Sequence, residues 1–330
     1  MKLYDPFQDF TFDIRTCFLS GKALGNEGTL IQVIPDWIME QYDLAERPIQ
    51  MLDERIATYR QLQMPCTAKV AERINELDEE IRQAFTAGYE KTAQLDQTLL
   101  FQWIAKLVYG MIFNEIQAGV RQQAAVGEPL NFSQVLVHKF KNLHLMLQSL
   151  IQPIQFEGLQ PFSLKVVRVD NPADTFSYRD EINTLVFSMR MNDFGIIACL
   201  QDNGTNSIYN QEYLDKIGDR TLHPIQFEEL CARYFYSAYL FNRLPEYSVM
   251  PTPDRIYIEP ISMGDARMRP FFDNWQVKTY GQVLENFWKP WGYTLFEIIK
   301  DPENPMTFLL DAEGGLMDSN AIDLPLSGNA

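Results

Sequence analysis

Residues 96–118 read Asp96-Gln-Thr-Leu-Leu-Phe-Gln-Trp-Ile-Ala-Lys-Leu-Val-Tyr-Gly-Met-Ile-Phe-Asn-Glu-Ile-Gln-Ala118. Leu100, Trp103, Ile104, Leu107, Val108, Met111 and Ile112 recur at spacings of three and four, the period of a helix with a wide apolar face. Thr98 is placed to cap the start, and Asp96 suits the positive end of the helix dipole. A membrane span needs roughly 18 or more consecutive apolar residues, and Gln102 and Lys106 interrupt the run well short of that. The stretch therefore predicts a buried helix on which neighbours pack.

Around this hub the chain is large enough for a sizeable core, at 330 residues and 46% hydrophobic. The formal net charge is −16. Such a surface repels phosphates and disfavours nucleic-acid or anionic-membrane partners. No block of Lys or Arg offsets it. Cys17, Cys66, Cys199 and Cys231 are far apart, and the start, Met1-Lys-Leu-Tyr-Asp-Pro6, has no apolar signal core. Reduced thiols in the cytoplasm are the expectation.

Residues 7–16 alternate apolar and polar as a short strand does, and Leu30–Ile34 reads as a second one. Pro35 opens a helix, and Met51–Leu62 reads as a helix or a connector. Val70, Ile74, Leu77, Ile81 and Phe85 line one face of a helix over Thr67–Phe85, whose acidic run faces solvent. A loop at Gly127-Glu-Pro129 precedes a helix over Ser133–Leu150. Beyond about residue 160 the pattern becomes β-branched. Strands are expected at 163–169, 184–190 and 194–200, forming an antiparallel meander. A helix follows at 226–242, then a strand at 255–259, a helix ending near Trp288, and strands at 293–300 and 306–310. The expectation is an α+β protein. It has a helix-rich N-terminal half with a small ββα-like start (1–155), a mixed antiparallel sheet with packed helices (156–310), and a loose tail (311–330).

Within the first third, Cys17-Phe-Leu-Ser20, Ile31-Gln-Val-Ile-Pro35-Asp-Trp37 and Cys66-Thr-Ala-Lys69-Val70 stand in a suggestive order. The series resembles HNH-type endonucleases. There a Cys-x-x-Cys knuckle, a strand ending in Glu-His-Ile-x-Pro-x-Trp, and a second Cys-x-x-Cys-Asn precede a helix. The stretch Trp103-Ile-Ala-Lys106-Leu-Val-Tyr-Gly110 is similar to a helix that often follows. The resemblance implies four zinc-binding cysteines and a histidine general base beside a metal-bound phosphate. Here Pro35, Trp37, Cys17 and Cys66 are kept. Ser20 and Lys69 replace the second cysteines, Gln32 replaces the histidine, and Ile31 replaces the glutamate. An amide does not titrate in a useful range, so Gln32 cannot act as a base. The resemblance thus implies a pseudo-nuclease without bound metal or cofactor.

Other residues stand out in the second half. Asp202 and Asn203 lie in a polar loop after a buried strand, where ligands often sit. His223 and Glu228 lie at a helix start, where hydrogen bonding and the helix dipole account for them as well. Trp288 and Trp291 belong to an aromatic run that reads either as core or as a partner groove. His138 and His144 are six apart, a spacing that does not share a helix face. The sequence points to a non-catalytic cytoplasmic protein with a protein partner. An enzyme or ligand-binding site in the C-terminal half is the first alternative, and an HNH-type nuclease the second.

Overall fold

In the computed structural model the described residues are 3–25, 28–51, 53–126, 133–264, 269–302 and 304–327. In chain order they form β1 (Thr29–Gln32), α1 (Asp36–Gln41), β2 (Pro48–Gln50), β3 (Ile56–Thr58), β4 (Gln63–Cys66), α2 (Ala68–Thr86), α3 (Tyr89–Thr92), α4 (Gln97–Val126), α5 (Gln134–Leu147) and β5 (Ile154–Phe156). There follow β6 (Ser163–Arg168), β7 (Ser177–Glu181), β8 (Val186–Met191), β9 (Phe194–Cys199), α6 (Thr205–Tyr209), α7 (Gln211–Ile217), α8 (Pro224–Leu240), β10 (Tyr247–Pro251), β11 (Ile256–Pro260), α9 (Val277–Trp288) and α10 (Leu295–Ile298). The α+β class holds. No helix among the described residues is long and apolar enough to cross a membrane. The Gly127–Pro129 loop lies outside the described residues.

Two compact units divide the chain, and neither is contiguous. The first takes 1–84, 95–159 and 246–261, and the second takes 85–94, 160–245 and 262–330. The hairpin β10–β11 joins the first unit because β11 pairs in parallel with β5, Ile256 opposite Ile154.

In the first unit the hub helix α4 is buried along most of its length. Its cap is Asp96 rather than Thr98, since Asp96 Oδ1 accepts from the Leu99 N–H at 3.0 Å. Gly110 lets the helix lie close against Val33, just after β1: a Cβ there would lie 2.7 Å from the Val33 methyls. The strand expected over residues 7–16 does not form; among the described residues only its end pairs, through an isolated antiparallel bridge from Thr16 to Ala23. Phe7, Phe10 and Phe12 instead pack on one another edge to face and tilted. Within Met51–Leu62 the chain forms β3, which pairs antiparallel with β2 just before Met51, Pro48 opposite Thr58.

His144 on α5 is fully buried and ties down the N-terminal segment. Its Nε2 lies 2.8 Å from the Phe18 carbonyl, so that nitrogen carries the proton and donates. Burial lowers its pKa from 6.5 to about 4. A folded state that keeps the imidazole neutral is stabilised above pH 6.5 and loses that stability as pH falls toward 4. The difference amounts to about 3 kcal/mol. His144→Gln is therefore expected to flatten the fall in stability between pH 7 and pH 4, read from urea midpoints. An unchanged slope would exclude the histidine as its source.

The second unit is built on an antiparallel sheet in the order β6-β9-β8-β7. The three expected strands are present, and β7 extends the meander. Helix α8 lies against β8 and β9, started by Pro224 in its first turn and by His223 as its cap. The segment 293–300 is the short helix α10, not a strand. Thr294 and Glu297 form its capping box. The segment 306–310 makes only an isolated bridge, Leu310 to Leu316. The segment expected as a loose tail is anchored at a few points, though residues 321, 323, 325 and 327 are exposed. Leu316 and Ile322 are buried in this unit's core, and Pro325 accepts a hydrogen bond from Trp291 Nε1 at 2.7 Å. A few apolar anchors suffice to order a Gly- and Asp-rich segment.

Candidate functional site

The residues on which the resemblance rests all lie in the first unit. Cys17 opens a tight turn in which the Gly21 N–H reaches the Cys17 carbonyl at 3.0 Å and the Cys17 N–H reaches Lys22 at 2.8 Å. Gly21 sits at φ +67°, with Tyr4 packed where a Cβ would be. The Phe18 N–H donates to the Pro65 carbonyl at 2.8 Å, which joins this turn to β4. β1 pairs antiparallel with β4, Thr29 opposite Cys66 and Gln32 opposite Gln63, and α2 follows directly. The two strands and the helix make a ββα unit. Its second strand is β4, not the 7–16 segment.

The donor set does not fit a zinc ion. Cys17 and Cys66 are both fully buried. Burial, with a further contribution from Cys17, pushes the Cys66 thiol up to about 12, so it stays protonated. Lys69 is exposed, and Ser20 is a poor ligand. Among the described residues no three His, Cys, Asp or Glu side chains converge as a metal site would require. Gln32 has a buried Oε1 with no hydrogen-bond partner among the described residues.

Gln32 lines a cleft of about 380 Å³ with the rest of β1, with Pro35, Asp36 and Trp37, and with Asn75, Asp78 and Glu79 of α2. Asp78 is held from below. Its Oδ1 accepts from Trp103 Nε1 at 2.9 Å and lies 3.1 Å from the buried Lys106 ammonium, which also donates to the Val33 carbonyl at 3.1 Å. The chemistry available in the cleft is that of an amide, unpaired backbone groups and carboxylates. It has no nucleophile–base pair.

The second-half candidates do not form one site. Asp202 accepts from Ser163 Oγ at 2.6 Å and from the backbone of Gly204 and Asn206 at 3.1 and 2.8 Å, so it folds its own loop. Burial raises its pKa. Asn203 occupies the left-handed region at φ +52°, a turn position. Both His223 ring nitrogens are engaged: Nδ1 accepts from the Ile225 N–H at 3.2 Å, and Nε2 faces the Leu324 carbonyl at 3.2 Å. Glu228 lies between Arg179 and Arg190. Trp288 and Trp291 are buried and hydrogen-bonded to backbone, so the aromatic run is core rather than an exposed groove.

Asp36, Asn75, Asp78 and Lys106 escaped the sequence reading. The acidic run of α2 passed for a solvated face, and Lys106 for an interruption. A lysine inside an otherwise apolar helix does signal a buried partner. Comparison with known protein families, curated proteins and solved structures finds no match.

Proposed function

We propose that the chain is a non-catalytic, cytoplasmic protein that acts through protein–protein contacts on a nuclease-like ββα scaffold. One observation carries this reading. Two buried cysteines occupy the knuckle positions without further ligands, and the base position holds the amide of Gln32. Neither metal binding nor activation of water follows from that set. All four cysteines are free and buried, in keeping with a reducing compartment. The charge of −16 argues against nucleic acid as the partner.

Elemental mass spectrometry of the purified protein, together with plasmid cleavage in Mg²⁺, Mn²⁺ and Zn²⁺, tests the proposal. Substoichiometric metal and no cleavage are expected. Zinc at one ion per chain, or cleavage lost in Gln32→Ala, would overturn it.

A further inference from the structure

Among the described residues the outer edge of β1 is unpaired, while that of β4 is sealed. The Val33 N–H donates to the Leu62 carbonyl at 3.0 Å, and the register pairs Ile31 with Met64 and Leu30 with Pro65. Hydrogen-bonded pairs alternate along an antiparallel ladder. Ile31 therefore bonds toward β4, and Leu30 and Gln32 turn their N–H and C=O groups away from it. Pro65, opposite Leu30, has no N–H to offer. On the far side of β4, Phe18 N–H takes the Pro65 carbonyl and Asn114 Nδ2 takes the Gln63 carbonyl at 3.2 Å. Among the described residues nothing bonds the outward groups of Leu30 and Gln32. Such an edge is a template for another strand.

The two flanks of this edge differ in chemistry. All four residues of β1 line the 380 Å³ cleft, which continues along α2. The two α2-side hollows are lined by five carboxylates and Lys69; Glu76, Asp78 and Glu79 pair with Arg73, Lys106 and Arg82, while Asp36 and Glu72 have no ion pair among the described residues. On the other flank a cleft of about 440 Å³ runs between Leu30, Ile14 and Ile56. These three apolar side chains are 52%, 63% and 71% exposed. Arg55 and Arg121 line that flank with no carboxylate. A strand laid on β1 sends alternate side chains to opposite flanks. One set meets carboxylates, and the other meets exposed aliphatic surface beside two arginines. Antiparallel self-pairing of two β1 strands would bring both acidic α2 faces to the same side, which disfavours a second copy.

We propose that the free edge of β1 takes up an extended segment of a partner protein as an added strand, with alternate basic side chains toward α2 and apolar ones toward Ile14 and Ile56. This rests on the protein-contact reading above and names the class of partner. Main-chain bonds supply affinity and the alternating flanks supply selection.

The test uses the full chain and two fluorescein-labelled peptides, one alternating Lys with Val and one alternating Glu with Val, followed by anisotropy. The Lys–Val peptide is expected to bind and the Glu–Val peptide not. Leu30→Pro removes an N–H that points outward and leaves the β1–β4 bonds intact. It should weaken the Lys–Val peptide roughly tenfold, the equivalent of one hydrogen bond. Because proline also fixes the local backbone angle, Glu72→Lys/Glu79→Lys provides a second variant, with both changes on the exposed face of α2. It should reverse the preference between the peptides, with an unchanged circular dichroism melt as control. Equal binding of both peptides, or full affinity in both variants, overturns the edge assignment. Concentration-dependent dimerisation abolished by Leu30→Pro also overturns it, in favour of a second copy. In these cases the protein-contact reading stands. Metal-dependent cleavage by the purified chain defeats that reading and leaves the peptide measurement to be judged on its own.

Discussion

Asp78→Ala is expected to destabilise the first unit by about 3–5 kcal/mol, the cost of leaving one member of a buried ion pair without its partner. The Lys106 ammonium is fully buried on the hub helix α4. Its partners are Asp78 at 3.1 Å and the Val33 carbonyl at 3.1 Å. A lone carbonyl does not offset a desolvated positive charge. The same substitution orphans Trp103 Nε1, which donates to Asp78 at 2.9 Å. Lys106→Met should restore most of the loss when combined with Asp78→Ala, since an apolar side chain of similar volume needs no counter-charge. Urea denaturation of the wild type, both single variants and the double variant gives the coupling energy directly. A loss below about 1 kcal/mol for Asp78→Ala would mean that water reaches Lys106. Asp78 also floors the cleft beside β1, so the pair links hub-helix stability to the shape of the surface assigned to a partner strand.

What the sequence disclosed, and what it did not, follows from the range of the interactions concerned. Helices α2, α4, α5 and α8 were legible because their apolar period is a local property. Residues 10–15 alternate apolar and polar and form no strand, whereas β9, Phe194-Gly-Ile-Ile-Ala-Cys199, does not alternate and is a buried strand. The alternation specifies faces, not a pairing partner, and without one Phe7, Phe10 and Phe12 closed on each other. That 246–261 joins the first unit was not legible, because it depends on β11 pairing with β5 about a hundred residues away. In α10 the signal was present: Thr294 and Glu297 are spaced as a capping box, and the aromatic, β-branched composition of 293–300 obscured it. At the candidate site Gln32 was singled out from motif spacing. The cleft it borders was not, because a groove is made by surfaces meeting, and the acidic α2 face carries no mark of what it faces. The free edge of β1 depends on which amides β4 leaves unused, which no residue type announces.

Glu228→Gln is expected to cost the second unit about 3–5 kcal/mol for the complementary reason, two cations deprived of one shared anion. Glu228 and Arg190 are both almost fully buried, 3.6 Å apart, and Arg179 lies 3.5 Å from the same carboxylate while stacking over Phe287. Nε and Nη1 of Arg190 have no hydrogen-bond partner among the described residues. The carboxylate therefore supplies most of what keeps Arg190 charged inside the protein. Burial already lowers the Arg190 pKa. An amide keeps the shape of Glu228 and removes only its charge, so a loss in Glu228→Gln isolates the electrostatic part. Arg190→Met combined with Glu228→Leu should recover the wild-type urea midpoint to within about 1 kcal/mol, because neither buried charge then remains. Arg179 is a third exposed and can turn to solvent. If Glu228→Gln instead left stability intact and abolished binding of a small molecule, Glu228 would be a ligand group and the C-terminal half would contain a site. Full destabilisation with rescue by the double variant ties the carboxylate to the joint between α8 and β8.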